Sequence, residues 1–333
     1  MQVMEKGENA LTPEHMSRPE DGKPRLLSEY GDGKKSLPSR VRQLLKKIPG
    51  MRCLAHVSRC LKVRLLSGGG VKIKRKTLRF EVHICDHCNL NCEGCGHYSP
   101  IAEKRFVDPD ILERDFKRLS ELAGRKCELI DLMGGEPLLH PGITGIFDIA
   151  RKYFDGPVHL VTNGVLLANQ PDEFWQSCKK NAIEIIISVY PVKINEEKII
   201  ALAQKYGVTL KPKDKTFKEK SWFKRYVDFT GGQNIKEAYR KCDFGNECLF
   251  LEDGKLAPCD LPILSRHFNK YFHNSEYKFA EPAEEDYVDI FKAGSLDEIF
   301  EKFTRPIPYC RYCTSKFSYP KWGISKKAID EWV

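Results

Sequence analysis

Four cysteines within eleven residues, Cys85, Cys88, Cys92 and Cys95, constrain this chain more than any other feature. The last three are spaced Cys88-x3-Cys92-x2-Cys95. A loop that turns three thiolates inward on one point can hold three irons of a [4Fe-4S] cube. The fourth iron then has no protein ligand and stays open to a small molecule. Zinc is the competing occupant, because Cys85-x2-Cys88 and Cys92-x2-Cys95 imitate two zinc knuckles. Only three residues separate them, however, where a zinc site normally encloses a longer finger.

The rest of the chain sets the context for that loop. Its 333 residues are 41% hydrophobic, enough for one large or two ordinary domains. No apolar run approaches the ~20 residues of a membrane span. The start, Met1 to Glu20, is polar and lacks the apolar stretch of a signal peptide, which predicts a cytoplasmic protein. Thiols stay reduced there, so thirteen cysteines point to metal or clusters rather than disulfides. The net charge of +9 is concentrated between Lys34 and Arg79. It reads as a solvated basic face, with weak contact to an acidic surface as the alternative.

Residues 1–36 are rich in Pro, Gly and charge and predict a flexible tail. Residues 37–76 predict a basic amphipathic helical segment. From 77 the pattern alternates between strand and helix. Strands are expected at Leu78–Ile84, Leu129–Met133, Val158–Thr162, Ile183–Val189, Val208–Leu210 and, more weakly patterned, Ser221–Phe229. Helices are expected from Asp108 to Gly124, after Pro171, and from Glu196 to Tyr206. Strands that read almost wholly apolar imply a parallel sheet covered by helices. The expected fold is therefore α/β, a partial (β/α)6 TIM-like barrel over 77–230, followed by a small cysteine-rich α+β extension over 231–333. Sites in such barrels lie at the carboxyl ends of the strands. The cysteine loop, Gly134-Gly135-Glu136-Pro137, Thr162-Asn163-Gly164 and Ser188-Val-Tyr190 all follow strands directly, so they converge on one mouth. Cys127 and Cys178 are isolated, and burial is the default for both.

The loop spacing and the Gly-Gly-Glu-Pro stretch together resemble the radical S-adenosylmethionine (radical SAM) superfamily. That resemblance implies a [4Fe-4S] cluster on Cys88, Cys92 and Cys95, with SAM on its open iron. It further implies that Gly134, Gly135, Glu136 and Pro137 receive the SAM amine, and that Thr162, Asn163 and Ser188 meet its ribose and carboxylate. Cys85 lies outside the triad and reads as a non-ligand. Relatives carry a bulky residue just before the third cysteine, near the adenine; here that position is Gly94, so either His97 or Tyr98 fills the gap or the adenine is held differently.

A second cysteine set, Cys242, Cys248, Cys259, Cys310 and Cys313, resembles the SPASM and Twitch extensions that hold auxiliary iron-sulfur clusters. The implied ligands are Cys248, Cys259, Cys310 and Cys313, with Cys242 the competitor and all-cysteine zinc the other occupant. Glu252-Asp253-Gly254 between them is a hairpin turn signal.

The chemistry implied by the resemblance is hydrogen-atom abstraction from a substrate C–H bond. The expected reaction is oxidation or epimerisation of a carbohydrate or other small molecule, served by an electron donor such as flavodoxin or ferredoxin. Tyr98 and Tyr190 follow strand ends and are the candidate hydrogen donors. Peptide modification is the second reading. A non-enzymatic zinc-binding interaction protein is a third, from another class.

Overall fold

The computed structural model describes residues 79–125, 127–212, 224–242, 249–318 and 321–333. The expected tail, the basic helical segment and Cys248 lie outside the described residues.

Strand β1 (Arg79–Cys85) opens a parallel series with β2 (Leu129–Gly134), β3 (Val158–Thr162), β4 (Ile183–Ile187) and β5 (Leu210–Pro212). Their pairing runs β5-β4-β3-β2-β1, each neighbour parallel. Helices α1 (Pro109–Ala123), α2 (Ile143–Tyr153), α3 (Asp172–Lys180) and α4 (Glu196–Tyr206) return the chain between strands. Helix α1 begins where Asp108 accepts a bond from the Asp110 amide and Pro109 fixes the first turn. Its Leu112, Phe116 and Leu119 bury against a core that includes Phe80, Val82 and Ile84 of β1.

The opposite face of the sheet is graded from polar to apolar. Asp131, His159 and Glu184 stand in register on β2, β3 and β4. His159 bridges both carboxylates, at 2.9 Å to Asp131 and 3.1 Å to Glu184, and Lys211 reaches Glu184 at 2.7 Å. Two residues further along each strand, Met133, Val161 and Ile186 form a small apolar cluster. Beyond that lies the carboxyl-end mouth.

The sixth parallel strand is not the expected one. Lys224–Val227 (β6) is a strand, but it pairs antiparallel with β10 (Cys313–Ser318) in a separate two-stranded sheet. The charged Lys224 and Arg225 do not suit a strand buried on both faces. Leu249–Glu252 (β7) takes the place instead, parallel to β1 on its outer side, with all four residues buried. The expected hairpin follows it. Asp253 and Gly254 have φ of +48° and +74°, and β8 (Lys255–Ala257) pairs back on β7. Strand β9 (Val288–Asp289) closes that edge. Helices α5 (Ile235–Lys241), α6 (Leu261–Tyr271) and α7 (Leu296–Phe303) complete the described elements, α7 with Ser295 as its cap. No helix among the described residues is long and apolar enough to cross a membrane.

Candidate active site

The cysteine loop leaves the end of β1 and is fixed from below by the turn after β2. The Gly135 amide donates to the Cys85 carbonyl at 2.7 Å, and the Glu136 amide to the His87 carbonyl at 3.0 Å. A Cβ on Gly134 would lie 2.1 Å from the Cys85 oxygen, and one on Gly135 would lie 2.1 Å from the His87 oxygen. The two glycines thus let this turn press against the cysteine loop itself.

Glu136 is fully buried and its carboxylate is engaged within the fold. It accepts from the Thr162 hydroxyl at 2.6 Å, the Asn163 amide at 2.9 Å and the Leu138 amide at 3.0 Å. Burial pushes its pKa up to about 7, against the pull of those three donors. Thr162 also receives the Gly164 amide, so its hydroxyl is committed. Pro137 opens a single 3-10 turn and is buried. Asn163 reaches back to the loop, donating to Asn89 at 2.7 Å and lying 3.8 Å from the Cys88 sulfur. Ser188 stands half-buried after β4, its amide bonded to the Thr162 carbonyl. The expected SAM contacts are therefore brought together, but Glu136 and Thr162 bond chiefly to one another.

Cys88, Cys92 and Cys95 share one apolar surround made of Leu90, Val165, Tyr190, Val192, Ile194 and Trp322. Burial raises all three thiol pKa values, and the charge of Cys95 adds to the rise at Cys88 and Cys92. The Leu90 amide donates to Cys88 at 3.3 Å and the Trp322 indole to Cys92 at 3.2 Å. Backbone groups of Ser99 and His97 counter the rise at Cys95. Three protein thiolates suit a [4Fe-4S] cube, which can leave its fourth iron without a protein ligand, whereas structural zinc calls for four ligands.

Cys85 turns away. Its sulfur lies 3.4 Å from His87 Nδ1, and burial pushes its pKa up to about 12. Cys127 and Cys178 are buried as expected. Tyr190 remains at the site, its ring edge-on to Trp322 at 6.5 Å between centroids. Tyr98 does not face the mouth. It is 1% exposed, in a left-handed conformation of φ +57°, and its ring packs among Phe268, Phe279 and Trp332. Three aromatic neighbours of that kind hold a ring more strongly than a wet cavity does. Nor does Tyr98 or His97 fill the gap at Gly94. Gly94 has φ +60° and a Cβ there would lie 2.7 Å from the Glu331 carbonyl, so the carboxyl-terminal segment occupies that place.

Behind the loop, His83, Asp86 and Glu252 offer ligand atoms within 4.8 Å of one another. Arg105 and Arg266 already reach these carboxylates, at 2.8 Å and 2.6 Å to Glu252, and supply the positive charge. His83 continues the network to His97 Nδ1 at 3.2 Å, which lies 3.1 Å from the Gly134 carbonyl. Burial depresses the His83 pKa to about 4, so this imidazole is neutral near pH 7.

The second cysteine set also converges. Cys259 and Cys310 each feel the charge of Cys313 and Cys242, and Cys313 feels that of Cys242. Burial pushes Cys310 to about 12 and Cys313 to about 11. Arg225 of β6 sits against Cys259 and Cys313 and forms a two-point ion pair with Asp260, at 3.0 and 3.3 Å. Despite burial, those negative groups raise its pKa. Asn89, Glu331 and Arg225 were not singled out by sequence reasoning, and Trp322 reads from the sequence as a core aromatic. Asn89 lies inside the cysteine loop and was findable there, whereas the other three act on residues far away in the chain.

A parallel α/β sheet carrying a three-thiol loop at its carboxyl mouth defines the class of protein in which an iron-sulfur group is held with one corner open. Residues 82–209 match the model of the radical SAM superfamily, and this segment is a radical SAM domain. Its family binds a [4Fe-4S] cluster and SAM. The chain is similar to the GTP 3′,8-cyclase of Chlorobaculum tepidum, 36% identical over 92 residues, 27% of each chain. It is also similar to that of Peptoclostridium acidaminophilum, 32% identical over 114 residues, 33% of each. The chain thus spans about a third of the length of these curated relatives. Among solved structures, BtrN in complex with AdoMet and 2-DOIA is 17% identical, covering 72% of this chain and 93% of that one at a TM-score of 0.45. The structure of anSMEcpe with bound AdoMet is 16% identical, covering 71% and 89%, also at 0.45.

Proposed function

We propose that the chain is a radical SAM oxidoreductase or epimerase acting on a carbohydrate or other small molecule, with Cys88, Cys92 and Cys95 as the ligands of its SAM-binding cluster. When bound, cluster and SAM supply the 5′-deoxyadenosyl radical that takes a hydrogen atom from a substrate C–H bond. The observation that carries this reading is the gathering of Cys88, Cys92 and Cys95 in one apolar surround, with the Cys85 sulfur turned toward His87 instead.

The chain's own residues have distinct tasks in this reading. Glu136, Thr162, Asn163 and Asn89 form one hydrogen-bonded run that fixes the loop against β2 and β3. Asn163 and Ser188 are the polar groups that meet the ribose or carboxylate of SAM. Leu90, Val165, Val192 and Ile194 keep water from the thiols. Tyr190 is the hydrogen donor if the reaction is an epimerisation.

Cys259, Cys310 and Cys313, with Cys242 or Cys248, hold an auxiliary cluster within residues 231–333. Such a cluster would supply an acceptor for the electron that a substrate radical must lose in an oxidation, and the charges that Cys259, Cys310 and Cys313 feel from their neighbouring thiols support it. A flavodoxin or ferredoxin in the cytoplasm supplies the reducing electron.

The test is anaerobic reconstitution followed by iron, sulfide and 5′-deoxyadenosine analysis. Wild-type protein is expected to hold both iron and sulfide and to cleave SAM with dithionite, and Cys92→Ala to do neither. Zinc without sulfide ends the enzyme reading. Deuterium passing into 5′-deoxyadenosine from labelled sugars, rather than from labelled peptides, identifies the substrate class.

A further inference from the structure

We propose that Trp322, on the carboxyl-terminal segment, is a positioning residue for the SAM-binding cluster: its indole N–H holds the Cys92 sulfur and raises the cluster's reduction potential. The proposal rests on the reading of Cys92 as a cluster ligand. The indole nitrogen lies 3.2 Å from that sulfur. Indole is a donor only, so the bond has one possible direction. A donor aimed at a cluster thiolate stabilises the state with more negative charge on sulfur, which is the reduced one. The apolar surround of Leu90, Val192 and Tyr190 strengthens such a bond by excluding water.

The indole is not placed by chance contact of a loose terminus. Residues 323–332 are fastened to the cysteine loop along its whole length. The Gly323 carbonyl accepts from the Glu93 amide at 3.0 Å, and the Ser325 amide donates to the Asn91 carbonyl at 2.7 Å. Glu331 accepts the Gly94 amide at 3.1 Å, and Trp332 donates to the Cys95 carbonyl at 2.9 Å. Glu331 also holds the segment's own bend, accepting from the Ser325 hydroxyl and the Lys326 amide, both at 2.6 Å. Gly94 belongs to the same fit, since its left-handed backbone and missing Cβ admit the Glu331 carbonyl.

The experiment compares two tryptophan replacements on this segment. Trp322→Phe deletes the donor to sulfur and keeps an aromatic ring. Trp332→Phe deletes a donor to a backbone oxygen and leaves the sulfurs alone. EPR-monitored redox titration of reconstituted protein is expected to show the reduced-to-oxidised ratio at fixed potential falling about tenfold in Trp322→Phe. That is a downward shift of about 59 mV for a one-electron couple. Trp332→Phe is expected to titrate as wild type. Equal potentials in wild type and Trp322→Phe overturn the proposal, as do equal shifts in both variants.

Wild-type chain grown with 15N-indole tryptophan provides a measurement that needs no variant to fold. Pulsed EPR of the reduced cluster is expected to show a 15N coupling, and its absence overturns the proposal. A wild-type protein with no reducible cluster overturns the ligand reading instead, and the two failures are thereby told apart.

Discussion

Replacing Gly135 with Ala tests whether the turn after β2 is what sets the cysteine loop. The new Cβ is placed 2.1 Å from the His87 carbonyl oxygen, 2.4 Å from its carbon and 2.8 Å from the Asp86 oxygen. All three are backbone atoms, so no side chain can swing aside. Real contacts of this kind do not fall below 3.0 Å, so the loop must retreat by at least 0.9 Å, the difference between 3.0 and 2.1 Å. That movement strains or breaks the Gly135–Cys85 and Glu136–His87 backbone bonds. Two net hydrogen bonds at about 1 kcal/mol each, with overpacking of about 1–3 kcal/mol, give a loss of about 3–5 kcal/mol. For a unit of this size the melting temperature is expected to fall by roughly 10 °C. Thermal unfolding of the apoprotein and iron content after reconstitution are the assays, with iron expected to drop severalfold. Gly96→Ala is the control in the same loop, because a Cβ there meets nothing within 4 Å. Equal melting and equal iron in Gly135→Ala and wild type refute the reasoning, as does equal damage from Gly96→Ala.

Cys85→Ala is expected to retain wild-type iron and SAM cleavage, and a variant that loses its iron makes Cys85 a ligand. In protein carrying both clusters, Cys259→Ala is expected to lower iron from about eight to about four per chain and to leave SAM cleavage intact; unchanged iron excludes the auxiliary assignment. A carboxyl whose pKa rises from 4.5 to about 7 on folding binds its proton more tightly in the folded state. Stability then falls as pH rises from 4.5 to 7 and levels off above. Subtracting the melting profile of Glu136→Gln apoprotein from that of wild type between pH 4.5 and 8 is expected to isolate this fall, and a flat difference removes Glu136 as its source.

The parts of the fold that were readable share one property: the signal was local. Apolar runs such as Ile183–Ile187 and the Asp108-Pro109 helix start carry their structure within a few residues. The four strand-end motifs could be gathered at one mouth because a parallel sheet with helical returns puts every strand's carboxyl end on the same side. What was not readable depends on partners distant in sequence. Lys224–Val227 has enough β character to form a strand, but its choice of β10 over β5 is set by Cys313 and its neighbours, far along the chain. Tyr98 lies in the loop that follows a strand end, which made it a candidate hydrogen donor. Its burial is decided by Phe268, Phe279 and Trp332. Glu136 was recognised as a site residue, but its donors Thr162 and Asn163 come from the next strand and turn its carboxylate inward.

The bond between Gly94 and Glu331 joins positions 237 apart. A chain leaving the ribosome exposes its three thiols long before it makes the residues that brace them. Closing so large a loop is slow and costs entropy that local pieces do not. The cysteine loop is therefore braced by a contact of the costliest kind, one that can form only once residues 323–332 are in place.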